Sequence, residues 1–219
     1  MIERITFITI GQTPRTDLVP EIVAGLPSQV AVREVGALDG MEPDEIADLV
    51  PGPDDHALVT RLRDGSQAII GKRWVTARLQ EILDGIAPDA REVTVLLCTG
   101  DFSSLRGPEL FLDAQHLVDH GVDALCQGAR VVGMVVPLAR QEDEHHYHPA
   151  PGQRLRTAHA SPYEEVDFAG VGRALEDCRL IVMHCMGYTE AQRRDIALGA
   201  GRPVLLARRL VTAALAQLL

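Results

Sequence analysis

Three short stretches of the chain are almost wholly apolar: residues 93–97, broken only by Thr94, 131–136 and 180–183. Runs this short, bounded by polar turns and lacking the alternation of a half-exposed strand, read as strands buried on both faces. Such strands belong to parallel sheets flanked by helices, and stretches of helical character do lie between them. That pattern alone selects an α/β architecture with an aliphatic core, in keeping with 46% hydrophobic and only 4% aromatic residues.

The rest of the chain extends the alternation. Residues 5–10 form a first strand, and Gly11-Gln12-Thr13-Pro14 then hands over to a helix running to about residue 26, with Thr13 as its N-cap and Pro14 at its first position. A strand at 30–35 and an acidic helix at 43–49 follow. Residues 58–62 and 68–70 flank Asp64-Gly65, a strong hairpin signal. The next helix carries Trp74, Ala77, Leu79, Ile82 and Leu83 and leads to the strand at 93–97.

In the second half, helices are expected at 108–118, from Pro137 onward and at 163–175, with strands at 131–136, 154–158, 180–183 and 203–206. A final helix aligns Leu210, Val211, Ala214, Leu215 and Leu218. The two halves share one feature above all. VLLCTG and IVMHCMG are each an apolar strand followed by Cys-x-Gly, 87 positions apart by subtraction of 98 from 185, and a helix is expected after each.

In an open α/β sheet ligands bind beyond the carboxyl ends of the strands, which is where Cys98 and Cys185 stand. A helix amino terminus after each would favour the thiolate and could hold a carboxylate, and glycine two residues on lets a ligand approach the backbone. Two thiols on opposite sides of one carbon are what proton removal from one face and delivery to the other require, a racemisation that needs no cofactor. Cys126 and Cys178 precede strands and read as small core hydrophobes.

Charge narrows the function classes further. A net charge of −10 disfavours a nucleic-acid or anionic-membrane partner, and no stretch approaches the roughly 20 apolar residues that span a bilayer. The apolar run ending at Ile10 is too short for a signal-peptide core, so a cytoplasmic chain with reduced thiols is expected. Lys72 is the single lysine, so a pyridoxal phosphate enzyme would have to build its Schiff base there. Dinucleotide fingerprint, P-loop and nucleophile elbow are all missing. His145, His146 and His148, after Asp143 and Glu144, offer metal-ligand types without a recognisable spacing, and no metal is assigned to them.

The segments TIGQTPR (residues 9–15), GKRW (71–74), LLCTGDF (96–102) and CMGYT (185–189) resemble the AroM family, a group within the aspartate/glutamate racemase superfamily. Hydantoin racemases, maleate isomerases and arylmalonate decarboxylases belong to the same superfamily. The resemblance covers nearly the whole chain. It implies two pseudo-symmetric α/β lobes, each a mostly parallel sheet flanked by helices, with the ligand cleft between them and a cofactor-independent mechanism using one cysteine per lobe. Those cysteines map onto Cys98 and Cys185. The lobes are expected at residues 1–107 and 108–207, with 208–219 a helix packing back on one of them. Where racemases of the superfamily commonly read Cys-Asn-Thr and Cys-Thr, this chain has Cys98-Thr99-Gly100 and Cys185-Met186-Gly187, an altered pattern for holding a substrate carboxylate.

The candidate substrate-binding residues are Gln12, Arg15, Arg73, Thr99, Gly100, Gly187, Tyr188 and Thr189. Arg15 is expected at a helix start, where a cation is disfavoured unless an anionic ligand faces it. His184 adjoins Cys185, but strand neighbours point to opposite faces. Three readings fit: a two-cysteine racemase or isomerase of a small carboxylate or cyclic amide; a single-cysteine isomerase or decarboxylase; and a non-catalytic protein that binds a small metabolite. A homodimer is the default for such enzymes.

Overall fold

The computed structural model describes residues 1–27, 29–144 and 147–219. Two compact units emerge, one of Met1–Gln115 with Val211–Leu219 and one of His116–Leu210. The elements of the first are β1 (Arg4–Thr9), α1 (Val19–Ala24), β2 (Ala31–Gly36), α2 (Pro43–Ala47), β3 (Ala57–Arg61), β4 (Gln67–Gly71), α3 (Lys72–Asp84), β5 (Glu92–Leu96) and β6 (Phe111–Asp113). Then come α4 (Ala114–Cys126), β7 (Val131–Val136), α5 (Gln141–Glu144), β8 (Arg154–His159), α6 (Phe168–Ala174), β9 (Leu180–Met183), α7 (Glu190–Ala200), β10 (Val204–Leu206) and α8 (Ala207–Ala216). The boundary between the units falls inside α4 and inside α8.

Each unit is built on a four-stranded sheet in which all pairings are parallel, ordered β2-β1-β5-β6 in the first and β10-β9-β7-β8 in the second. Read from the other side, the second order is β8-β7-β9-β10. Numbering the strands within each sheet by their place in the chain, both follow 2-1-3-4, so β5 and β9 occupy the same topological position. Both are internal strands, as their apolar sequences require: every residue of β5 is buried, and Ile181, Val182 and Met183 of β9 are fully buried. Aliphatic side chains fill the cores, with Ile8, Leu79 and Leu96 in the first unit and Val135, Ile181 and Leu206 in the second.

The hairpin β3–β4 forms as its Asp64-Gly65 turn predicts, with Gly65 at φ +94°, and makes a separate two-stranded sheet. Several helix starts differ from expectation. No helix begins at Pro14. The Thr13 amide and hydroxyl both donate to the Asp39 carboxylate after β2, so the residue expected to cap a helix is tied to another loop, and α1 starts at Val19 instead. The helix expected at 108–118 is replaced by strand β6, which pairs with β5, and by α4 starting at Ala114. Among the described residues the helix after Pro137 is α5, which starts at Gln141 and not at Pro137. Residues 163–167 are not helical; Asp167 caps α6 by accepting from the Gly170 amide. Leu218, expected on the buried face of the last helix, lies beyond α8 and is 38% exposed.

Among the described residues no helix is long and apolar enough to cross a membrane. In the second unit α6 and α7 pack backbone to backbone through glycine: a methyl on Gly172 would strike the Ile196 carbonyl, and one on Gly199 the Ala169 carbonyl. Gly199→Ala is therefore expected to lower stability by about 1 kcal/mol or more despite alanine's better helix propensity. Gly128→Ala, whose methyl meets open space, should leave stability nearly unchanged. Urea unfolding of the two variants checks the contrast.

Candidate functional site

Cys98 follows β5 and Cys185 follows β9, the equivalent internal strands of the two sheets. The turns that hold them share one geometry. The Gly100 amide donates to Cys98 Sγ at 3.4 Å, and the Gly187 amide donates to Cys185 Sγ at 3.4 Å. An N–H aimed at sulfur favours the charged form of a thiol, because a thiolate is the better acceptor. The four cysteines form no disulfide.

The surroundings of the two turns differ. After Cys185, Thr189 caps α7: its hydroxyl accepts from the Gln192 amide while Gln192 Oε1 accepts from the Thr189 amide. No helix follows Cys98, contrary to the sequence expectation. Asp101 Oδ1 accepts from the Ser103 amide in a tight turn, and Phe102 and Leu105 plunge into the core. Asp101 and Ser103 thus make a turn of their own where a helix was expected.

The loop after β1 lies beside the Cys98 turn, since β1 and β5 are paired and the Leu97 amide donates to the Ile8 carbonyl. Gln12 accepts from the Arg63 amide of the hairpin loop. Arg15 is only 4% exposed and does not sit at a helix start. Its guanidinium forks onto both oxygens of Asp17, at 2.9 Å each, and donates to Thr9 Oγ1 at 3.0 Å. Burial pushes the Asp17 carboxyl up, but the hydrogen bonds and charge of Arg15 outweigh it and hold the group below its ordinary 3.8. Thr99 is buried, and a Cβ on Gly100 would press on Leu58 and Phe102, so the hairpin packs directly over this turn.

Arg73 does not join this group. Its guanidinium donates to the Asp54 carbonyl and its amide faces Asp55. Lys72, one residue earlier, reaches the site, pairing with Asp101 at 3.2 Å. Burial raises the Asp101 carboxyl, yet the Ser103 amide and the Lys72 charge leave it net lowered.

In the second unit Tyr188 is fully buried, with its hydroxyl donating to the Ala160 carbonyl at 2.7 Å; burial, with Cys185 and Tyr163 nearby, pushes the phenol well above its ordinary value. Two residues that sequence reasoning missed adjoin the Cys185 turn. Tyr163 packs its hydroxyl against Gly187, and Arg208, 1% exposed, donates to the Met186 and Gly187 carbonyls. Nothing local signals either one, for both lie outside the strand-turn motif. His184 bonds Asp119 of α4 at 2.9 Å.

Cys126 and Cys178 are buried, and burial pushes both thiols up, with Asp123 adding at Cys126 and Asp177 at Cys178, which rises to about 11. Among the described residues no group of three His, Cys, Asp or Glu side chains is placed to hold a metal ion; His148 is exposed, and His145 and His146 lie outside the described residues.

The family model described as AroM protein matches residues 5–219. No curated protein sequence matches the chain. Among solved structures it is similar to the maleate isomerase Iso from Pseudomonas putida S16, at 14% identity and a TM-score of 0.55 over 100% of this chain and 93% of that one. A maleate cis-trans isomerase from Nocardia farcinica, a cysteine-to-serine mutant with a covalently bound succinylcysteine intermediate, aligns at 15% identity and a TM-score of 0.55, covering 99% and 92%. Picrophilus torridus aspartate racemase aligns at 11% and 0.53, covering 98% and 93%. These likenesses establish the fold.

Asp17→Asn would leave the buried Arg15 guanidinium without its carboxylate, and a stability loss of about 3 kcal/mol at pH 7 is expected. Because the Asp17 pKa is lowered on folding, its contribution is present above about pH 4 and fades as pH falls through the folded value. Denaturant melts of parent and variant should therefore converge in acid. Equal stability at neutral pH would contradict the pairing's importance.

Proposed function

The chain belongs to the AroM family, and on that premise we propose that it is a cofactor-independent racemase or isomerase of a small carboxylate or cyclic amide, with Cys98 and Cys185 as its acid and base. The single observation carrying this reading is the doubled turn: the same amide-to-sulfur hydrogen bond at the carboxyl end of the same strand in both sheets. One thiolate removes the proton from the carbon beside the carbonyl group. The C–H electron pair passes into an enolate, and the opposite thiol returns a proton to the other face, so the two sulfurs exchange protonation states in each turnover. The reading requires the sulfurs to flank one carbon, about 6–8 Å apart with substrate bound.

Catalysis by one cysteine is the second reading, favoured by the inequality of the turns. Cys185 is partly exposed and precedes a capped helix, whereas Cys98 is buried and has none. In that case one thiol alone would add to the substrate; the succinylcysteine named in the Nocardia farcinica structure, present although another cysteine of that protein is replaced by serine, is such an adduct in a protein of this fold.

Incubation in deuterated water with chiral amino acids, hydantoins and hydroxy acids, following loss of the α-proton signal, separates the readings. Two-base chemistry predicts exchange in the parent and a loss of about a hundredfold or more in both Cys98→Ala and Cys185→Ala. Strong dependence on only one of the two thiols supports the single-thiol reading. No exchange with any compound would overturn the proton-transfer proposal.

A further inference from the structure

We propose that Arg208 is a positioning residue for Cys185, its guanidinium acting on the sulfur through the single peptide unit that joins Met186 to Gly187. The inference rests on the reading of Cys185 as a reactive thiol. Arg208 Nη2 donates to the Met186 carbonyl at 3.0 Å and to the Gly187 carbonyl at 3.0 Å, and Nε reaches the Met186 oxygen at 3.3 Å. The nitrogen of the Met186–Gly187 peptide is the Gly187 amide, whose N–H donates to Cys185 Sγ. One peptide thus has a cation on its oxygen and a sulfur on its hydrogen. A charge drawing electron density toward the carbonyl oxygen makes the N–H a stronger donor, and hydrogen bonds chained through one amide reinforce each other in a low-dielectric interior.

Arg208 occupies a costly position for a cation. A guanidinium that is 1% exposed is costly to desolvate. It also stands in the first turn of α8, the helix end where a cation is disfavoured. Tyr163 and Pro162 also pack against Gly187, where a Cβ would strike both. At the Cys98 turn the nearby cation, Lys72, is bound to a side chain, that of Asp101.

Iodoacetamide alkylation at a series of pH values tests this without any substrate. Trypsin places Cys185 in the peptide spanning residues 180–193 and Cys98 in that spanning 92–106, so mass spectrometry follows each thiol separately. Arg208→Gln keeps a donor and removes the charge; Arg208→Lys keeps the charge. In the Gln variant Cys185 alkylation near pH 7 should slow by about three- to tenfold, with its pH profile displaced upward, while the Lys variant stays close to the parent and Cys98 is unaffected in both. Should the Gln variant not fold by circular dichroism, Arg208→Met, an apolar replacement of similar length, takes its place. An unchanged Cys185 profile, equal slowing in the Gln and Lys variants, or parallel slowing of Cys98 would overturn the inference. Deuterium exchange with substrates is read independently, so failure of the catalytic reading is distinguishable from failure of this one.

Discussion

A parallel strand must be covered on both faces, and its side chains are then committed to packing along its whole length. Polar chemistry is displaced to the strand ends, and at the carboxyl end the first residues beyond the ladder escape that requirement. Everything distinctive about this chain gathers there. β5 and β9 are sealed by aliphatic neighbours, and the residues after them turn back so that a glycine amide meets the sulfur it has just passed.

The two turns reach that geometry by different supports. The second is backed by the capped start of α7 and clamped by Arg208, both of which place positive charge close to Cys185. The first has no helix, and its loop is held by Asp101, which is bound in turn by Lys72 and the Ser103 amide, with the β3–β4 hairpin pressed over it through Leu58 and Gly100. A duplicated topology has kept the sulfur contact while its scaffolding diverged. That divergence gives the two thiols unequal exposure, and it is why single-thiol chemistry stands as the alternative to a symmetric acid and base.

Much of this frame was legible in the amino-acid sequence. Nearly continuous apolar runs marked β5, β7 and β9, Asp64-Gly65 marked the hairpin, and the recurrence of Cys-x-Gly after equivalent strands marked the candidate site. What failed was the reading of helix starts, where another partner claimed the local signal. Asp39 took the Thr13 hydroxyl, Asp101 made a local turn with Ser103, and Asp167 capped α6 so that the helix starts later than residue 163. Arg208, and the pairing of Lys72 with Asp101, were not legible for a related reason. A sequence rich in arginine does not say which one is buried, and a choice between Lys72 and Arg73 turns on which side of α3 faces the site.

On the proposed reading Cys98 and Cys185 are held for chemistry, whereas Cys126 and Cys178 are packing. Alkylation of the unmodified protein measures this directly, because trypsin leaves each cysteine in its own peptide. Cys98 and Cys185 should be modified well before Cys126 and Cys178, whose thiols burial pushes upward. Equal rates at all four positions, or Cys126 or Cys178 reacting first, would contradict it.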